Sequence, residues 1–151
     1  MTPEEKINAI FAEFAAELEL DPQGFSLDGN YACLAVNQAA VLHFRFLPEN
    51  AALDVFMELG PVPPAVRQEV CEDMLQGNVL FQATEGAALG FDRERGLAVA
   101  TLRLDAGDLT AAKFKGNLER FLNMAEFWVG RIAGGGQADT AEPGSDNFLR
   151  V

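Results

Sequence analysis

Apolar positions change period several times along the chain, and each change marks an element. Ile7, Ile10, Phe11, Phe14 and Leu18 recur at helical spacing. Ahead of them stands Thr2-Pro3-Glu4-Glu5, in which Thr2 can cap, Pro3 suits the first turn and Glu5 completes a capping box. Asp21-Pro22-Gln23-Gly24 ends this helix, because proline disfavours helix before it and glycine favours a turn. Three period-two runs follow. Tyr31 to Asn37 sets Ala32, Leu34 and Val36 on one face. Val41 to Leu47 sets Leu42, Phe44 and Phe46 against Val41, His43 and Arg45. Leu53 to Leu59 sets Leu53, Val55, Met57 and Leu59 against Asp54, Phe56 and Glu58. Short polar breaks between them predict an antiparallel meander.

Gly60-Pro61-Val62-Pro63-Pro64 breaks the alternation. A helix is predicted from near Pro64, carrying Val66, Val70 and Met74 on one stripe and stopping at Gly77-Asn78. Ala87 to Asp92 and Leu97 to Leu104 read as two more strands, joined by a polar turn over Asp92-Arg93-Glu94-Arg95-Gly96. The last helix is predicted to be capped near Asp108. Its stripe is Phe114, Leu118, Phe121, Ala125, Trp128 and Ile132, widened by Leu122 and Val129, and it stops at Gly134-Gly135-Gly136. The fold class predicted is α+β, an antiparallel sheet with helices in the order α-β-β-β-α-β-β-α. Residues 1–133 form the expected domain and 134–151 a flexible C-terminal tail. The apolar pair Phe148-Leu149 near its tip reads as part of an untied terminus.

Charge narrows the partners. The chain has 151 residues, with 11 basic against 23 acidic ones for a net of −12. Phosphate binding draws its affinity from Lys and Arg, so nucleic acid is disfavoured, as are anionic membrane surfaces. No apolar stretch approaches the about 20 residues of a spanning helix. The first helix carries Glu4, Glu5, Glu13, Glu17 and Glu19 where a signal peptide would be basic and then apolar, so a cytoplasmic protein is expected. Cys33 and Cys71 are the only cysteines and form no disulfide framework.

Candidate chemistry is sparse. The single histidine, His43, falls inside a strand with Leu42 and Phe44 facing the other way, which suits a surface or interface histidine better than a general base. Cys33 and Cys71 stand among small, apolar or acidic residues, with no neighbour in sequence to stabilise a thiolate. One His and two scattered Cys make no zinc site, the acids form no calcium loop, and Gly86, Gly90 and Gly96 form no phosphate cradle. The expectation is no enzyme, no metal and no cofactor. The twelve Phe are more telling: Phe56 lies between Asp54 and Glu58 on a polar face, which points to exposed apolar patches and protein partners.

The pattern resembles that of the Tir-chaperone (CesT/SycE-like) family, the class I chaperones of bacterial type III secretion. Cys33-Leu34-Ala35-Val36 resembles its first strand, and Leu59-Gly60-Pro61-Val62-Pro63 the proline-rich exit of its third. Met74-Leu75-Gln76-Gly77-Asn78 is similar to its Leu-Leu-x-x-Asn helix end, Leu89-Gly90-Phe91-Asp92 to its fourth strand, and Phe121-x-x-x-Ala125-x-x-Trp128 to its closing helix. The resemblance covers about residues 4 to 133 and leaves out the glycine-rich tail.

It implies a homodimer that keeps the N-terminal segment of a secreted effector extended and soluble and presents it for export. Val70, Met74, Leu75 and Leu89 are then interface candidates. Phe11, Phe14, Phe44, Phe46 and Phe56 are candidates for the effector-binding patches, with helix-facing core an equal reading for Phe44 and Phe46. A bare sheet edge is a liability that pairing removes, and a two-fold contact through the middle helix is sterically natural. The rival readings are a general interaction or regulatory module of the same fold, and an enzyme that uses grooved acids with a divalent metal.

Overall fold

The computed structural model describes residues 1–36 and 40–135. The elements are α1 (Pro3–Glu17), β1 (Tyr31–Ala35), β2 (Val41–Leu47), β3 (Ala52–Pro61), α2 (Arg67–Asn78), β4 (Ala88–Asp92), β5 (Leu97–Asp105) and α3 (Ala111–Ala133). This is the predicted α+β order. The five strands lie in one sheet in the order β1-β2-β3-β5-β4. β1 with β2, β2 with β3, and β4 with β5 pair antiparallel. The expected tail, 134–151, lies outside the described residues from 136 onward.

Two compact units divide the chain, Met1–Phe56 with Arg103–Glu119, and Met57–Leu102 with Arg120–Val151. In the first, α1 opens with the predicted capping box: the Thr2 hydroxyl accepts the Glu5 N–H at 3.1 Å, and the Glu5 carboxylate accepts the Thr2 N–H at 2.7 Å. The helix buries Ile7, Ile10, Phe11, Phe14 and Ala15. Phe11 stacks on Phe25 with centroids 4.1 Å apart, and meets Phe44 at 5.3 Å and Phe114 at 5.4 Å. Phe14 reaches Phe114 edge-on at 5.2 Å. A buried phenylalanine is worth about 1.5–3 kcal/mol. This cluster, more than helix propensity, therefore holds a 15-residue helix that would be marginal alone. Asn8 accepts the Leu27 N–H at 2.8 Å, and Lys6 donates to the carbonyls of Ala106 and Gly107 at 3.2 and 2.8 Å. The hydroxyl of Thr110 caps α3 by accepting the Lys113 N–H at 3.1 Å. Asp108, the predicted cap, stands too early and instead pairs with Lys113 Nζ at 2.6 Å.

In the second unit the proline-rich exit of β3 passes through a single tight turn, Pro64–Val66, so α2 begins three residues later than predicted. Gly77, near the end of α2, has the Trp128 indole where a side chain would be: a Cβ there would sit 2.6 Å from its Cζ2. Trp128 Nε1 donates to the Ala83 carbonyl at 2.9 Å, and the Ala83 N–H returns to the Gly77 carbonyl at 3.2 Å. Arg131 meets Asp73 at 3.3 Å, and the Arg67 guanidinium lies 5.0 Å over the Phe91 ring. Gly135, at φ +72°, follows the end of α3 as the glycine run predicts.

Candidate functional site

The solvent face of β1–β3 carries side chains that alternate away from the core. Register sets Cys33 opposite His43, and His43 opposite Phe56. The His43 ring stacks on Phe56 with centroids 4.9 Å apart and planes 12° apart, and its Nδ1 is hydrogen-bonded to the Tyr31 hydroxyl. Desolvation pushes the Tyr31 hydroxyl above its ordinary pKa, and Cys33 adds to the shift by charge and by hydrogen bonding. In the neighbouring row Asp54 is gripped twice. Arg103 Nε and Nη2 donate to its two oxygens at 2.6 and 2.9 Å, and Arg45 Nη2 donates at 2.9 Å. The Arg103 hydrogen bonds are the main reason the Asp54 carboxyl lies below the usual range, with Arg45 helping against the opposing effect of burial.

The sheet's two outer strands differ. The Phe46 N–H bonds to the Asn30 carbonyl and the Val36 N–H to the Ala40 carbonyl, so even-numbered residues of β1 pair with β2 and odd-numbered ones face outward. Tyr31 spends both backbone groups on Asp28, at 3.2 and 2.8 Å. Cys33 and Ala35 are left with backbone groups unpaired among the described residues. On β4 the outward backbone of Leu89 is taken instead by Asn78, whose Oδ1 accepts its N–H at 2.9 Å and whose Nδ2 donates to its carbonyl at 3.0 Å.

The second unit shows an apolar knuckle at the end of α2. Leu75, Val79, Leu80 and Phe81 are 67%, 50%, 90% and 58% exposed. Leu80 and Phe81 both hold positive φ, 53° and 57°, a left-handed backbone that bulky residues rarely adopt. In the first unit an open, mostly apolar cavity of about 240 Å³ lies between the start of α1 and the β2–β3 turn, lined by Pro3, Lys6, Phe46, Pro48, Ala51 and Ala106 among others.

The residues singled out in the sequence fall in different places. Phe11, Phe14, Phe44 and Phe46 are buried, the first three in the aromatic core of their own unit and Phe46 against the cavity. They have almost no accessible surface in this chain because helix and sheet already pack on them. Phe56 alone of the five retains surface, on the open face. Val70, Met74 and Leu89 are also buried, whereas Leu75 stands out in the knuckle. Val79, Leu80 and Phe81 were missed because they follow the helix stop, where periodicity no longer assigns a face. The convergence of Tyr31, Cys33 and His43 was missed because it depends on strand register. Both cysteines are free. No group of three or more His, Cys, Asp or Glu able to hold a metal occurs among the described residues, and no helix of theirs is long and apolar enough to cross a membrane.

Comparison with known proteins fits this architecture. The chain is similar to the Chlamydia pneumoniae protein CPj0713/CpB0740, with 30% identity over 132 residues, which is 85% of this chain and 93% of the relative. Its fold matches a chain in the crystal structure of the ExsC–ExsE complex with a TM-score of 0.72 and 22% identity, covering 87% of this chain and 97% of the other. It also matches the structure of the Yersinia pestis type III secretion chaperone SycH in complex with a stable fragment of YscM2, with a TM-score of 0.63 and 18% identity over 80% of this chain and 98% of the other. The sequence profile of the Tir chaperone protein (CesT) family matches residues 9–129, so the chain belongs to that family of type III secretion chaperones.

Proposed function

We propose that the chain acts in the cytoplasm as a homodimer that binds the N-terminal segment of one secreted effector, keeps it extended and presents it for export, without cofactor or metal. The family match over residues 9–129 carries this reading. Solved relatives bound to a second protein, such as SycH with its YscM2 fragment, support it.

The contacts follow from the surface. The open backbone of Cys33 and Ala35 suits an added client strand, which gains hydrogen bonds whatever its sequence. Phe56, half-buried on the face beside that edge, supplies an apolar contact and selectivity. Asn78 blocks Leu89 on β4, which favours β1 as the receiving edge. Self-association uses the knuckle: Leu75, Val79, Leu80 and Phe81 together form an apolar patch that a two-fold mate would cover. Buried Val70, Met74 and Leu89 support it from beneath. Residues 1–133 do this work in the proposal, and 134–151 stand apart from it.

Capture of the native protein from its own cell, followed by light scattering of the recovered complex, tests the reading. The expected result is a dimer holding the N-terminal segment of one larger protein. A dimer with no partner, or with many folded ones, would instead favour a general interaction module.

A further inference from the structure

Two neighbouring rows on the open face of β1–β3 carry different chemistry. One is aromatic: His43 stacks on Phe56, and its Nδ1 bonds to the Tyr31 hydroxyl. Tyr31 and Val41 beside it are each 41% exposed. The other is cationic: Arg45 and Arg103 share the single carboxylate of Asp54, so one guanidinium charge is left over. Both arginine side chains are 59% exposed, against 13% for Asp54. Asp105, the next outward residue of β5, turns its carboxylate to the Gly107 N–H at 2.8 Å. In a chain of net charge −12, this face therefore sets a positive row beside an apolar one. His43 and Arg45 on β2, like Phe56 and Asp54 on β3, are two residues apart, so the rows lie about 6.7 Å from each other along the strands.

We propose that the chain's own segment Asp146-Asn147-Phe148 docks on this face when no client is bound. Residues 136–151 carry three acids, Asp139, Glu142 and Asp146, against one base, Arg150, and their one aromatic is Phe148. In an extended segment, residues two apart project from the same side about 6.7 Å from each other. That spacing sets the Asp146 carboxylate over Arg45 and Arg103 while the Phe148 ring meets Phe56 and His43. Phe148 lies 13 positions beyond Gly135, the last described residue, a reach of up to about 45 Å. A tether of this length keeps the segment at a high effective concentration, so a weak contact is enough for occupancy. The docked segment shields Phe56, and a client gains that surface by displacing it. This displacement rests on the client reading above, whereas the docking does not.

The chain has a single histidine, so the ring resonances of His43 report on this face without overlap. The test records them without client for the full chain, Phe148→Ser and Asp146→Asn. Phe148→Ser is expected to shift them and Asp146→Asn to shift them in part. A synthetic peptide of residues 144–151, added to Phe148→Ser, is expected to restore the native positions. With a fluorescein label, the same peptide is expected to bind Phe148→Ser about fivefold more tightly than the native chain, whose own segment competes. Adding Arg45→Gln, or raising the salt, is expected to weaken that binding. Circular dichroism checks that each variant is folded. His43 resonances unaltered in Phe148→Ser, or equal peptide binding by the two chains, overturn the proposal and leave the face to a client. Shifts that follow protein concentration but not the Phe148 substitution overturn it in favour of a second copy. Docking observed in a chain that captures no client would refute the client reading alone.

Discussion

The side-chain amide of Asn78 closes on Leu89 from both ends, accepting its N–H at 2.9 Å and donating to its carbonyl at 3.0 Å. An amide that matches both groups of one residue imitates the next strand of a sheet. It joins the end of α2 to β4 and removes two backbone groups from the edge. Asn78→Ala is expected to leave both unpaired and to cost about 1–3 kcal/mol of stability in urea denaturation. Asn78→Asp keeps the acceptor but sets a carboxylate against the Leu89 carbonyl, so it is expected to recover little.

Gly77 has a similar constraint of space. Its missing side chain makes room for Trp128, and an added methyl would come within 2.6 Å of the indole. Gly77→Ala is expected to destabilise by about 1–3 kcal/mol and to shift Trp128 fluorescence. Gly90, where an added Cβ meets nothing within 4 Å, is the control, and Gly90→Ala is expected to be near neutral by the same measurement.

Phe44 and Phe56 separate core from surface on adjacent strands. Phe44→Ala removes a fully buried ring of the aromatic cluster and is expected to cost about 3–5 kcal/mol. Phe56→Asp removes a ring from the open face, and is expected to leave the fold intact while weakening capture of the client. A collapse in melting temperature for Phe56→Asp would make its stacking on His43 structural instead.

Asp54 sets a dependence on acid. Its folded pKa lies below the unfolded one, chiefly through the Arg103 hydrogen bonds. The group binds protons more readily when unfolded, so its contribution is fully present above the ordinary carboxylate pKa of about 3.9 and is lost as pH falls through the lower folded value. Stability curves of the native chain and Asp54→Asn are expected to differ near neutral pH and to converge in strong acid. A difference independent of pH would assign the effect to packing.

Leu80 tests self-association. Leu80→Asp is expected to give a monomer by light scattering at micromolar concentration. Leu80→Gly relieves the left-handed backbone but adds freedom to the unfolded chain, two effects of about 1 kcal/mol in opposite directions. It is expected to weaken pairing with little change in the stability of the single subunit.

Much of this fold is legible from period alone. The alternation of Leu42, Phe44 and Phe46 predicts three buried side chains on one strand face, and all three are buried. The capping box at Thr2 is local chemistry and appears as predicted. What escapes the sequence depends on relations between distant segments. Phe11 and Phe14 could be assigned to an apolar stripe, but that Phe25 and Phe114 fill the space around them is a property of packing. Cys33 and His43 are ten positions apart, and only register makes them neighbours. The role of Asn78 is hidden for the same reason: a helix-stop residue gives no sign of the strand that will accept its side chain.

The left-handed turn at Leu80 and Phe81 has a consequence for a subunit that lacks its mate. A single subunit displays, at one helix end, a strained and apolar segment. Pairing hides it. On that proposal an unpaired copy carries an exposed apolar liability that its partner removes, so the feature that joins two subunits would also be what sets a surplus one apart.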